Sequence, residues 1–282
     1  MKIDKVDKIT HKEFYHEYVV PQKPVVVTSN VISYPAFGKL TPDYFAKKYG
    51  HLKKEINGIT YTLEEILFLM KTSTAENPSP YPCDMHIDKV FPEVLELLQN
   101  DFIYGKVDRI NHPLMPKAFT KATKINEMFF GGKGSFFPFL HIDAMYLHTQ
   151  ITQLWGDKEF FMIHIDHTDK VYPRTDNPKI SCVRNIFNPD IEKYPKFKDA
   201  EISSVMVKEG ETVFFTSQYW HTTKIHSECI SYGRVHLNHT NWDGFMQDNY
   251  ELFKKYHPGL TPLAKAYEFG LDKLMRLQEA LK

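Results

Sequence analysis

The hydrophobic pattern divides the chain into three textures. From about residue 125, short apolar runs alternate with clusters of Gly, Pro, Asn and Asp. The runs are Met128-Phe129-Phe130, 140–148, 160–165, Val205-Met206-Val207, 212–216 and 230–237. Many short strands separated by ordinary turns predict an antiparallel sandwich or barrel, and favour a jelly roll over a parallel sheet. Before residue 125 the pattern is mostly helical. Thr10 caps a helix over 10–18 with Phe14, Tyr15 and Tyr18 at helical spacing. Thr41-Pro42 opens a second helix that Gly50 ends, and Thr62-Leu63-Glu64-Glu65 is a capping box for a third running to Lys71. A short β-branched run, Pro24-Val25-Val26-Val27, precedes them, and Asn57-Gly58 marks a hairpin. Residues 72–82 read as a loop and 92–100 as a helix. From Phe245 onward helix signals return. Two segments, 250–256 and 262–281, flank His257-Pro258-Gly259-Leu260-Thr261.

The fold expected is therefore mainly β with flanking helices, around a double-stranded β-helix (jelly-roll) core. A single domain spans 1–282, with a helical front over 1–124, the core over 125–245 and C-terminal helices over 246–282. The apolar share of 42% supports a sizeable core, and the 14% aromatic share suits a barrel filled by large side chains.

Charge removes some partners. Lys+Arg and Asp+Glu are equal at 35 each, so the overall balance carries no nucleic-acid footprint. No apolar run is long enough to span a bilayer, and Met1-Lys2-Ile3-Asp4-Lys5 lacks the apolar core of a signal peptide. Cys83, Cys182 and Cys229 are few, odd in number and widely spaced, so they read as reduced thiols of a cytoplasmic protein.

The candidate chemistry lies in Leu140-His141-Ile142-Asp143 and, far downstream, Tyr219-Trp220-His221. On a strand, residues two apart share a face, so His141 and Asp143 aim together. His221, 80 residues after His141, can arrive from another strand. Two histidines and one carboxylate suit Fe(II) and leave coordination positions open. The tripeptide His-Ile-Asp occurs three times, starting at His86, His141 and His164. Context favours the middle copy: the first precedes a helix start and the third ends an apolar run near solvent.

These residues are accompanied by Gln153-Leu154-Trp155-Gly156-Asp157-Lys158, by Phe187-Asn188-Pro189-Asp190 and the residues that follow it, and by Val207-Lys208-Glu209-Gly210-Glu211-Thr212-Val213-Phe214-Phe215. In that order and near that spacing, from about residue 9 to residue 242, the chain resembles the cupin-like JmjC hydroxylases, and among them the asparaginyl hydroxylase pattern. The resemblance implies an oxygenase dependent on Fe(II) and 2-oxoglutarate. It would consume O2, release succinate and CO2, and hydroxylate an unactivated C–H. His141, Asp143 and His221 match the metal ligands. Lys158 matches the residue that holds the distal carboxylate of 2-oxoglutarate, with Tyr81 beside it. Arg234, 13 residues after His221, is its rival, placed as in another branch of these oxygenases. An arginine fork would grip a carboxylate at two points. Two positions depart from the family pattern: Pro138 stands where a Thr is frequent, and Thr216 where a Pro is usual.

The substrate is expected to be a peptide, a protein side chain or an amino-acid-like small molecule. Tyr146, His148, His236 and Asn238 are the weak pointers to a pocket mouth. Two alternatives stay open: a cupin-like metal-binding protein without turnover, and an iron enzyme that does not use 2-oxoglutarate, suggested by Pro138. The apolar positions Leu263, Ala266, Tyr267, Phe269, Gly270, Leu274, Leu277 and Leu281 exceed what one helix needs to rest on a barrel. They point to a homodimer through the C-terminal helices.

Overall fold

Among the described residues, twelve strands carry the architecture. The computed structural model describes residues 2–29, 34–98, 108–120, 123–256 and 258–280. In chain order the strands are β1 (Asp4–Val6), β2 (Val25–Val27), β3 (Lys53–Ile56), β4 (Ile59–Thr62), β5 (Cys83–His86) and β6 (Asn126–Gly131). There follow β7 (His148–Trp155), β8 (Lys158–His164), β9 (Ser203–Val207), β10 (Thr212–Phe215), β11 (Tyr219–Ile225) and β12 (Cys229–His236). One sheet has seven strands in the order β1-β2-β10-β7-β12-β6-β5; a second has three, β11-β8-β9. All pairings are antiparallel except β1 with β2. Residues 136–141 lie along β11 through single bridges, Phe136 to Lys224 and His141 to His221.

The two sheets close on one another, giving the jelly roll. Ile151, Val213 and Phe215 of the large sheet pack with Phe160, Met162, Val205 and Val207 of the small one. Strand alternation then sends the other side chains of the large sheet outward. Phe214, Phe130 and Tyr232 meet Phe14, Phe45, Leu63 and Ile66 of the front segment. The front segment also contributes β1, β2 and β5 to the large sheet.

Local signals account for most of the flanking elements. Thr10 and Thr62 both form complete capping boxes, with Glu13 and Glu65. Thr41 caps the helix Pro42–Tyr49, and Asn57-Gly58 joins β3 to β4 with positive φ at both residues. The expected helix over 92–100 is present as Val94–Leu97, and its last two positions lie outside the described residues. The tail forms helices Trp242–Tyr256 and Thr261–Ala280; Leu281 lies outside the described residues. Among the described residues no helix is long and apolar enough to cross a membrane.

Two elements differ from expectation. Residues 140–148 do not form a strand. Pro138 offers no N–H, and pairing is confined to the bridges of His141 with His221 and Ile180. Ala144–Tyr146 then make a 3-10 turn with Met145 at φ 61° and Tyr146 at φ 49°. The Met145 N–H donates to Asp248 at 3.0 Å, which anchors that turn to the tail. The strand begins only at His148. Conversely, β7 is the centre of the large sheet and buried through Leu154, yet its sequence alternates no apolar residues. Most of its polar side chains are hydrogen-bonded to neighbours, although Gln153 Oε1 is buried without a partner among the described residues. Thr152 shares a hydrogen bond with Thr212 at 2.9 Å, His148 with Thr240 at 2.7 Å, and Gln150 with His236 at 2.9 Å.

Candidate metal centre

The two histidines are positioned by backbone. His141 and His221 exchange N–H to carbonyl hydrogen bonds of 3.0 and 2.8 Å, so they face each other as a bridged pair. Their rings lie 4.2 Å apart, centroid to centroid. Phe137 stacks on His141 at 4.6 Å, and Phe215 lies 4.5 Å from His221. Each Nδ1 faces the carbonyl two residues before it, Phe139 at 3.4 Å and Tyr219 at 3.3 Å. That contact assigns the proton to Nδ1 and leaves the Nε2 lone pair free for a metal.

Asp143 reaches the same point from the loop. Its Oδ1 is 3.6 Å from each Nε2. Its Oδ2 accepts the hydroxyl of Thr149. Ligand atoms of the three residues all lie within 4.8 Å of one another. Two ligand bonds of ~2.1 Å span ~4.2 Å, so one ion can reach the carboxylate and either imidazole together. Burial works to raise the Asp143 carboxyl, but His221, His141 and Thr149 override it and hold it well below the ordinary carboxylate range. Burial, helped by His141, pushes His221 down to about 4. At neutral pH the pair therefore presents an anion and a neutral imidazole, the protonation states a metal requires.

The trio opens into a cavity of about 250 Å³ that Lys158, Tyr81 and Arg234 also line. All six residues singled out from the sequence thus border one space, but not equivalently. Lys158 starts β8 after the turn at Gly156. That glycine has φ +67°, and a Cβ there would sit 1.9 Å from the Glu228 carbonyl oxygen. The Lys158 side chain is 2% exposed. Its Nζ donates to Ser231 Oγ at 2.6 Å and to the Tyr81 hydroxyl at 3.4 Å. Phe129 supplies a ring face 5.5 Å away. Burial opposes its charge, while Cys229 and Tyr81 beside it favour the ammonium, and the balance holds its pKa above the usual value. Among the described residues no carboxylate pairs with it.

Arg234 borders the cavity, yet its Nη2 is 3.3 Å from Asp108 Oδ2. Asp108 also accepts the Ile110 and Leu237 N–H groups at 3.1 and 3.2 Å. It lines a separate space of about 10 Å³ with His236 and Asn238. The other two His-Ile-Asp copies stand apart. His164 ends β8 with its side chain 41% exposed and, among the described residues, pairs with the carboxylate of Asp166 at 3.1 Å. His86 ends β5 and precedes the helix Ile87–Val90.

None of Tyr146, His148, His236 and Asn238 lines the metal cavity. His148 and His236 project from the opposite faces of their strands to Thr149 and Val235, which do line it. The cavity is lined in addition by Asp84, Lys124 and Glu127. Lys124 bridges the two carboxylates at 2.9 and 3.0 Å. Strand period provides a signal for Glu127, two residues before Phe129 on β6. Thr149 and Ser231 carried no comparable signal, being common residues inside unrecognised or mixed strands.

Comparison with known proteins agrees with this geometry. The cupin-like domain family matches residues 60–240. JmjC domain-containing protein D of Dictyostelium discoideum is 21% identical over 243 residues, covering 78% of this chain and 52% of that protein. Arginine-specific demethylase JMJ22 of Arabidopsis thaliana is 22% identical over 245 residues, 85% of this chain and 47% of that protein. Lysine-specific demethylase 8 of Xenopus tropicalis is 24% identical over 219 residues, 74% and 47% respectively. The chain spans about half the length of these curated relatives. With the family match extending over more than half of its residues, and the jelly roll and His-Asp-His trio in place, the chain belongs to the JmjC-type cupin-like family.

Proposed function

We propose that the protein is an Fe(II)- and 2-oxoglutarate-dependent oxygenase. It would hydroxylate an unactivated C–H of a peptide, protein side chain or amino-acid-like molecule. The observation that carries this reading is a buried ammonium without a carboxylate partner in the same cavity as a two-histidine, one-carboxylate trio. A buried cation of that kind is costly unless an anion joins it. The distal carboxylate of a 2-oxo acid supplies one.

His141, Asp143 and His221 would hold the iron, whose chemistry when bound is O2 activation coupled to oxidative decarboxylation of the 2-oxo acid. Lys158 and Tyr81 orient the co-substrate by its far end. Phe129, Phe137, Phe160 and Phe215 wall the cavity and exclude water. Asp84 and Glu127 also line the cavity, but Lys124 and Lys54 already pair with them, so the substrate's charge is left open and the names of the arginine- and lysine-specific relatives are not carried over.

The test is anaerobic loading with Fe(II), then ascorbate, 2-oxoglutarate and air, following succinate. Succinate formation supports the proposal. Iron binding without succinate or oxygen uptake points to a metal-binding protein, and oxygen uptake indifferent to 2-oxoglutarate points to an iron enzyme of another kind.

Assembly as a homodimer is a companion proposal. On helix Thr261–Ala280, Leu271 and Met275 are buried against the chain's own core. Leu263, Phe269 and Leu277, away from that buried face, are 70%, 61% and 60% exposed. An apolar face of that kind suits a twofold mate. Light scattering should give a dimer for the full chain and a monomer for a variant with Leu263→Glu and Phe269→Glu.

A further inference from the structure

We infer that Thr149 fixes Asp143 as a one-point ligand and so keeps a coordination position open. This rests on the metal centre proposed above. The three ligands are held by different means. His141 and His221 are bridged to each other through backbone, and each ring is oriented through Nδ1. Asp143 sits between the bridges of His141 and a 3-10 turn, outside any strand, and its side chain does not cap that turn. Its backbone therefore does not determine which oxygen faces the histidines.

Thr149 does. It lies on β7, 6% exposed, paired across the sheet with Phe215 on one side and Val235 on the other. Its β-branched side chain has little χ1 freedom. The hydroxyl donates to Oδ2, which leaves Oδ1 turned toward both Nε2 atoms. Without that donor a carboxylate can ligate through both oxygens. It would then occupy four of six positions with the histidines, where a chelating 2-oxo acid and O2 together need three open. Thr149 is thus a positioning residue acting through Asp143. Such outer partners of metal ligands typically govern affinity or activity by roughly 10–100-fold.

The experiment is Co(II) titration of the apo protein, read by visible absorption, for the natural chain, Thr149→Val and Thr149→Ser. Thr149→Val should shift the Co(II) band, as expected when a second carboxylate oxygen replaces a solvent ligand. 2-Oxoglutarate added to that Co(II) form should bind roughly tenfold more weakly than to the natural chain. Thr149→Ser, which keeps the hydroxyl, should restore both readouts. Apo-protein melting checks that each variant is folded, and Thr149→Ala replaces the valine if that variant is not. An unchanged Co(II) band and 2-oxoglutarate affinity in a folded hydroxyl-free variant would overturn the inference. So would a serine variant that behaves like valine. If the natural chain gives no Co(II) band at all, the metal centre itself is wrong, a separate and recognisable result.

Discussion

Lys158 and Arg109 are buried to the same extent, 2% exposed each, and their surroundings are opposite. Arg109 is surrounded by compensation from its own chain. It meets Asp272 at 2.6 Å and Glu279 at 2.7 Å, and its guanidinium lies 4.9 Å from the Trp242 ring. Lys158 meets two hydroxyls and two aromatic rings. A buried charge that its fold already neutralises is structural; here it clamps the last helix to the barrel. A buried charge left with only neutral partners is set up for something that arrives later. Arg234 falls on the structural side through Asp108.

The comparison can be broken most severely at the metal. If the Lys158 end of the cavity is a ligand site, the trio beside it must bind iron. His141→Ala, Asp143→Ala and His221→Ala should each abolish Fe(II) binding by equilibrium dialysis, while His164→Ala retains it. Loss of iron in His164→Ala would mean that another His-Ile-Asp is the ligand pair. Next in size is the clamp. Arg109→Ala removes the buried partner that Asp272 and Glu279 share, leaving them only Arg276 and His239, and should cost about 3–5 kcal/mol in urea unfolding, as breaking a buried pair does.

Acid provides a smaller test. His148 is pushed down to about 3 and His221 to about 4, both chiefly by burial, and His236 well below its usual value. Each is neutral in the fold but free to protonate once unfolded. Stability is therefore complete above about 6.5, the unfolded pKa. It falls as pH drops through the window down to 4 and then 3, where the folded residues finally protonate. Each group steepens the fall by up to about 1.4 kcal/mol per pH unit. His148→Gln should flatten the urea-midpoint profile across that window.

The smallest effect sharpens the contrast most directly. Lys158→Ala should raise the 2-oxoglutarate requirement at least tenfold, about 1.4 kcal/mol, without lowering the urea midpoint. Arg234→Ala should do the reverse, lowering stability by stranding Asp108 and sparing co-substrate affinity. The opposite pattern would assign the carboxylate grip to Arg234.

Much of this was legible in sequence because it is local. Capping boxes at Thr10 and Thr62, the Asn57-Gly58 turn and the apolar runs of β6, β8, β9, β10 and β12 report short-range physics. The His-Ile-Asp at 141 and the distant His221 were recognisable as ligand types. What stayed hidden is cooperative. β7 is buried by two flanking strands and its polar side chains find partners up to 92 residues away, so no window of its own sequence shows an apolar stripe. The turn at Ala144–Tyr146 is anchored by Asp248 of a remote helix. Thr149 matters only because of where Asp143 is placed, which neither residue discloses alone.

The bridge between His141 and His221 has a consequence for dynamics. Because His141 and His221 share a pair of backbone hydrogen bonds, an ion held by both imidazoles would keep the segment over residues 136–141 from peeling away from β11. Opening of that seam and release of the ion become a single event. The free energy of local opening then rises with free metal, by about 2.7 kcal/mol at a hundredfold excess over Kd. Amide exchange at His141 and His221 would slow about a hundredfold in step, making those two backbone protons a direct gauge of occupancy.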